Sequence, residues 1–277
     1  MNIAIAGLGL IGGSIAKAIK QKTSHLVYGI DADQKTISSA IRDGAVDAAL
    51  EEKDFSSVDI LFVCLYPRAA VSFILENMDK LKKGCIVTDV CGVKKFVEDS
   101  VGAPLRKRGL HYVGGHPMAG KERSGYFHSN PKMLEGASYI LTKNKLTDEE
   151  AFEAVKQLIA SLGCRVVETT SEKHDRIIAY TSQLAHVVSS SYIKSPTVEY
   201  EKGFTGGSFQ DMTRVALLSP PMWAELFTLN RENLLFEIRN IIQNLKDFEA
   251  ALSEGDGEKL ISLLREGSEI KKRHLEK

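Results

Sequence analysis

His116 lies in Gly114-Gly-His-Pro-Met-Ala-Gly120, directly after a short apolar run that reads as a strand. Ligands of open α/β sheets bind beyond the carboxyl ends of the strands, so an imidazole there is placed to meet a substrate. Neutral imidazole can accept a hydroxyl proton near neutral pH while hydride leaves the same carbon. A histidine bonded to a turn carbonyl is the competing reading, and position alone favours neither. A second histidine, His186, shares one helical face with Asp175, Ala179, Ser182, Ser189 and Ser190, while Ile177, Ile178, Leu184, Val187 and Val188 take other positions. Small polar side chains around a histidine, between apolar flanks, describe a lined cavity; a satisfied interior histidine is the alternative. Asp211 and Arg214 stand three apart and would meet on a helix. They form either a surface ion pair worth little, or an aspartate orienting a guanidinium whose planar fork grips a carboxylate.

A cofactor loop stands at the start of the chain. Gly7-Leu8-Gly9-Leu10-Ile11-Gly12 fits G-x-G-x-x-G between an apparent strand and a helix, and Asp31 ends the next strand. Gly7 permits the tight turn, Gly9 lets backbone amides approach a pyrophosphate, and Gly12 lets helix and strand pack closely. The helix N-terminus adds orphan donors and a favourable dipole. Asp31 is suited to accept from the adenosine ribose hydroxyls, and its charge repels a 2′-phosphate, which favours NAD over NADP. A structural glycine turn that binds nothing is the bland alternative. Metal is not expected: no His, Cys or Asp cluster has ligand spacing.

The elements that must position these residues follow from periodicity. Strands are expected at Asn2–Ala6, Leu26–Ile30, Asp59–Leu65, Ile86–Asp89 and Tyr112–Gly114, alternating with helices at Leu10–Lys20, Gln34–Arg42, Arg68–Leu81, Val93–Lys107 and Asp148–Leu162, the last capped by Thr147. This is an α/β pattern: an N-terminal Rossmann-like doubly wound sheet, residues 1–169. Strands stop after Thr170, so an all-helical domain is expected over 170–277. It would contain a helix over 171–192 and one long helix from Ser219-Pro220-Pro221 to about Leu252, about 48 Å at 1.5 Å per residue. The apolar side chains Leu226, Leu229, Phe236, Ile241, Leu245, Phe248 and Leu252 along it suggest packing against a second subunit.

The 277 residues carry 36 basic and 36 acidic side chains, a balance that argues against a nucleic-acid footprint. No signal peptide and no run of about 20 apolar residues is evident. Cys64, Cys85, Cys91 and Cys164 are scattered without C-x-x-C spacing, as for reduced thiols. A cytoplasmic protein is expected, with no membrane partner.

Gly114-Gly-His-Pro-Met-Ala-Gly-Lys-Glu-Arg-Ser-Gly125 resembles the signature of prephenate and arogenate dehydrogenases. So do Thr181-Ser-Gln-Leu-Ala-His186, Gly206-Gly-Ser-Phe-Gln-Asp-Met-Thr-Arg214 and Pro221-Met-Trp223, in the family's order and over nearly the whole chain. The resemblance implies NAD-dependent oxidative decarboxylation of a cyclohexadienol on the route to tyrosine, in a homodimer joined through the helical domain. It implies His116 as proton acceptor, Arg214 as carboxylate ligand, His186 as a shaping and polarising group, Glu122 as part of an entrance gate, and Trp223 packed beside Asp211 and Arg214. Two departures stand out. Gly92 occupies the place where many relatives have a serine, in Asp89-Val-Cys-Gly-Val-Lys94, so Cys91, water or His116 alone must serve; Lys121 replaces a hydroxyl residue of some relatives. The length leaves no room for a fused mutase or a C-terminal sensing domain, so inhibition by tyrosine would act at or near the substrate site.

Two other readings compete. A β-hydroxyacid dehydrogenase or imine reductase shares the architecture, but the first usually depends on a lysine within a glycine-rich helix. Here the lysines of the His186 stretch, Lys173 and Lys194, lie at its ends. A non-catalytic dinucleotide sensor would need the glycine loop but not His116, His186 and Arg214 together. Prephenate and arogenate differ only in the side chain, keto against amino.

Overall fold

The computed structural model describes residues 1–120 and 123–276. Eight strands form one sheet in the order β3-β2-β1-β4-β5-β6-β7-β8. They are β1 (Asn2–Ala6), β2 (Leu26–Ile30), β3 (Ala48–Ala49), β4 (Ile60–Val63), β5 (Ile86–Asp89), β6 (His111–Pro117), β7 (Ser138–Thr142) and β8 (Arg165–Thr169). Every neighbouring pair is parallel except β6 and β7. The chain builds outward from β1 to β2 and β3, then crosses back to β4. That reversal makes a crevice at the carboxyl ends of β1 and β4, where open sheets of this kind bind ligands.

Helices cover both faces, which is why the central strands are apolar throughout. These are α1 (Leu10–Lys22), α2 (Gln34–Arg42), α3 (Pro67–Asn77), α4 (Lys95–Lys107) and α5 (Glu149–Ser161). Alternation assigns the layers: Ile3 and Ile5 pack with Ile15 and Ile19 of α1 and Phe152 and Val155 of α5. Ala4 and Ala6 face Ala70 and Ile74 of α3 and Val97 and Val101 of α4.

Several expectations are corrected. β3, β7 and β8 have weak signals: β3 has two residues, and β8 is exposed along much of its length. β6 runs to Pro117 because β7 pairs with it through His116↔Ile140, so His116 lies inside a strand rather than after one. Asp148, not Thr147, caps α5 by accepting from the Ala151 amide at 2.9 Å. Thr147 Oγ1 instead accepts from the Asn144 amide at 2.9 Å.

After Thr169 the described chain is helical. α6 (Ser171–Ile178) and α7 (Ala185–Tyr192) are joined by a widened π-helical stretch, Ala179–Leu184, and α8 spans Gly207–Thr213. The expected long helix is interrupted. α9 (Pro220–Leu229) ends at Asn230, which leaves helical geometry at φ −112° and ψ 27°, before α10 (Arg231–Glu254). Asn230 is buried, and its Nδ2 donates to the Asp175 carbonyl at 2.8 Å and to Gln183 Oε1 at 2.9 Å. Those two bonds hold the residue in a conformation that ends the helix. Contacts divide the chain into Met1–Asn230 and Arg231–Lys277. The second unit is α10 and α11 (Gly257–Leu275), joined through Gly255 at φ +65°. Among the described residues no helix is long and apolar enough to cross a membrane.

Candidate active site

The loop after β1 has the shape a dinucleotide needs. Gly7 has φ +88°, and a Cβ there would lie 2.5 Å from the Cys64 carbonyl oxygen. A Cβ on Gly12 would lie 1.8 Å from the Gly7 carbonyl oxygen, so helix and turn touch backbone to backbone. Gly9 differs, because nothing lies within 4 Å of its Cβ position. It is the N-cap of α1, and no side chain caps that end, which leaves amides of Leu10, Ile11 and Gly12 available to phosphate oxygens. Asp31 Oδ2 accepts from the Leu8 amide at 2.8 Å and Oδ1 from the Asp33 amide at 2.9 Å. The carboxylate is thereby fixed at the tip of β2, and each oxygen keeps a lone pair for a ribose hydroxyl. The residues fit NAD.

His116 is not bonded to a turn carbonyl. Its Nδ1 lies 2.9 Å from His174 Nε2, and His174 Nδ1 lies 2.7 Å from Asp175 Oδ1. The tautomers follow from this order. The carboxylate can only accept, so His174 carries its proton on Nδ1 and accepts on Nε2. His116 must then donate from Nδ1, which leaves a lone pair on its Nε2. Burial, with the neighbouring His174 ring and the Lys94 ammonium adding to it, holds the His116 pKa well below the usual imidazole range. Burial also lowers that of His174, against the pull of Asp175. A second histidine and an aspartate therefore hold the His116 imidazole in one tautomer, the arrangement a general base would need. Replacing His174 by Phe removes the acceptor for His116 Nδ1–H. Steady-state kinetics should show kcat lower by about ten- to a hundredfold, part of the 10²–10⁴ that general-base work contributes, with NAD⁺ affinity unchanged. An unaltered kcat would rule out the relay.

Gly92 faces this imidazole. A Cβ on Gly92 would lie 3.9 Å from His116 Nε2 and 3.3 Å from Leu226 Cδ2. Leu226 of α9 thus fills the space a larger side chain would take. Cys91 does not substitute for a hydroxyl: its thiol donates to the Leu65 carbonyl at 3.5 Å, and burial pushes its pKa well up.

His186 is half satisfied. Its Nδ1 lies 2.9 Å from the Ser182 carbonyl of its own helix, and its ring stacks on Trp223 with centroids 3.6 Å apart. Burial lowers its pKa, and the nearby Arg214 cation lowers it further, which places Arg214 within electrostatic reach of His186. Trp223 packs on His186 and Phe227. Arg214 ends α8, one turn beyond Asp211. Glu122 and Lys121 lie outside the described residues.

The polar stripe on α6 and α7 divides. Asp175 accepts from the Lys94 and Lys95 amides at the start of α4, at 2.8 and 2.9 Å, and Gln183 bonds Asn230. The π-helical stretch breaks the uniform 3.6-residue spacing, a feature frequent at functional sites. His174 was missed from sequence, its one local signal being a His-Asp pair beside the stripe; Asp89, Lys94 and Leu226 were noted only as parts of a motif run and an apolar helix face, with no role at the site. A cavity of about 370 Å³ lined by Glu98, Arg106, His111 and Asp148 lies at the other end of β6 and gathers none of these groups.

A family model described as the prephenate dehydrogenase nucleotide-binding domain matches residues 15–168, and one described as the prephenate dehydrogenase dimerization domain matches 170–266. The chain is 31% identical to the prephenate dehydrogenase of Bacillus subtilis over 94% of its own length and 72% of that protein's. A solved structure of Aquifex aeolicus prephenate dehydrogenase, in complex with hydroxyphenyl propionate and NAD⁺, superposes with a TM-score of 0.88 at 29% identity, covering 99% of this chain and 98% of that one. The arogenate dehydrogenase of Synechocystis superposes at 0.83 with 25% identity, covering 99% and 100%.

Proposed function

The chain belongs to the prephenate dehydrogenase family, and from that premise we propose a residue-level account of how it oxidatively decarboxylates prephenate to 4-hydroxyphenylpyruvate and CO₂ in tyrosine biosynthesis. It is an NAD-dependent oxidoreductase. The observation that carries the account is the free lone pair on His116 Nε2. Gly7–Gly12 and Asp31 would hold NAD⁺, which would supply the acceptor for the hydride at C4 of the substrate. His116 Nε2 takes the C4 hydroxyl proton, while His174 and Asp175 keep its Nδ1–H in place. The carbonyl forming at C4 draws electrons through the ring, so the ring carboxylate leaves as CO₂ and the ring becomes aromatic. Arg214 holds a substrate carboxylate as a bidentate ligand. His186, fixed by the Trp223 stack, shapes the substrate site, and Gly92 lines it through backbone.

Arogenate is the second reading, since its ring chemistry is the same and the chain superposes well on an arogenate dehydrogenase. The domain boundary falls at 169/170, and the helical domain forms a homodimer. Support comes from exposed Phe236, Leu245, Leu252, Leu264 and Leu275 on α10 and α11, a load of apolar surface that usually marks an interface. The setting is the cytoplasm. Initial rates of NADH formation with prephenate and with arogenate test the function. Turnover of prephenate is expected, in a protein that light scattering weighs at twice the 30.5 kDa chain. Turnover of arogenate alone would move the assignment to the second reading, and turnover of neither would overturn it.

A further inference from the structure

Where β6 leaves β5, the side of the Gly115 backbone turned away from β7 is held by side chains instead of a strand. The β5–β6 pairing reaches only Thr88↔Val113. Two residues on, the Gly115 carbonyl accepts from Lys94 Nζ at 2.5 Å, and the Gly115 amide faces Asp89 Oδ1 at 3.4 Å. Lys94 and Asp89 are an ion pair with both side chains 0% exposed. Asp89 also accepts from the Cys91 amide at 2.9 Å and the Tyr112 hydroxyl at 2.8 Å. No side chain fits at Gly115, since a Cβ would lie 2.6 Å from the Asp89 carbonyl oxygen. The Lys94 amide, meanwhile, donates to Asp175 Oδ1, the oxygen that holds His174. One residue therefore ties the peptide before His116 to the far end of its relay.

A buried ion pair adds little net stability over apolar residues of equal volume, because desolvation offsets the Coulombic attraction. Its place beside the base suggests another use. We propose that Lys94 and Asp89 are positioning residues for the proton transfer, clamping the Gly115–His116 peptide so that Nδ1 stays on His174 and Nε2 on the reacting hydroxyl. The inference rests on His116 as the base. The titratable groups around that imidazole are His174 and Asp175 from α6, Lys94 before α4, Asp89 from β5 and Tyr112 on its own strand. Of these, the Lys94 ammonium and the His174 ring oppose protonation of His116.

The test is Lys94→Met in the full-length enzyme, with pH profiles of kcat and kcat/KM, NAD⁺ binding by fluorescence titration, and His116→Asn as reference. Loss of the clamp should lower kcat by about a hundredfold, the scale of a 1 Å misplacement, with KM and NAD⁺ affinity little changed. Loss of the cation should move the acid limb of kcat/KM to higher pH. A folded Lys94→Met enzyme with wild-type kcat and an unmoved acid limb would overturn the inference. If Met leaves Asp89 unpaired and the protein does not fold, the double variant Asp89→Asn/Lys94→Gln removes both charges and carries the same two readouts. Full activity in His116→Asn would instead sink the reading of His116 itself, whatever Lys94 does.

Discussion

His116→Asn is expected to abolish most turnover, lowering kcat by about three orders of magnitude, within the range that general-base groups contribute. Asparagine is uncharged and of similar reach, so the relay loses its basic nitrogen while the loop keeps its shape. NAD⁺ binding should survive, because Gly7–Gly12 and Asp31 make no bond to His116. The pH dependence separates this outcome from general damage. Burial, His174 and Lys94 keep the His116 pKa below the ordinary imidazole value, near 6.5 in an unfolded chain. Wild-type kcat/KM should therefore be flat at neutral pH and fall only on the acid side of that value; residual activity of the variant should lack this limb. Stability follows the same sign. Below pH 6.5 the unfolded chain binds a proton at this residue that the folded protein resists, so stability falls as pH falls toward the folded pKa. Urea melts at pH 7 and pH 5 should show a smaller acid penalty in His116→Asn. An active variant with an unchanged acid limb would remove His116 from the chemistry.

The second large effect is at the glycine loop, where two substitutions of one methyl group should part company. Gly12→Ala places its Cβ 1.8 Å from the Gly7 carbonyl oxygen. The obstacle is backbone, so α1 must move off β1. A loss of about 3 kcal/mol is expected, the upper end for overpacking, together with NAD⁺ binding. Gly9→Ala meets nothing within 4 Å, so the thermal midpoint should hold while NAD⁺ affinity drops, because the methyl occupies the approach to the phosphates. Calorimetry and NAD⁺ titration of the pair give the answer. If Gly9→Ala binds NAD⁺ as well as wild type, the cofactor does not lie against Gly9.

The contrast between these two glycines shows how far sequence reading extends. The residue types of Gly7–Gly12 and Asp31 mattered in one local arrangement of strand, turn and helix, and local order was enough to state it. The same holds for the central strands, whose two-sided apolar runs require cover on both faces, and for His116, flanked by Gly and Pro near a strand end. His174 was out of reach. Its partner lies 58 positions away, and nothing in the spacing of α6 distinguishes it from the stripe of Asp175, Ser182 and His186 once a uniform 3.6-residue period is assumed. The π-helical stretch breaks that period.

Lys94 and Asn230 make the same point from the polar side. Lys94 reads as one residue of an expected helix over Val93–Lys107, and Asn230, within an apolar periodic run, reads as helical. Both are instead buried and spent on long-range hydrogen bonds, Lys94 to Asp89 and Gly115, Asn230 to Asp175 and Gln183. Sequence by itself determined the doubly wound sheet and the strand–turn–helix of the glycine loop, because each is written in neighbours along the chain, and offered His116 as a candidate. Only the tertiary structure decided which nitrogen of His116 is free, what fills the space over Gly92 and where the long helix breaks. Those outcomes depend on hydrogen bonds and contacts between segments that meet only when the chain is folded.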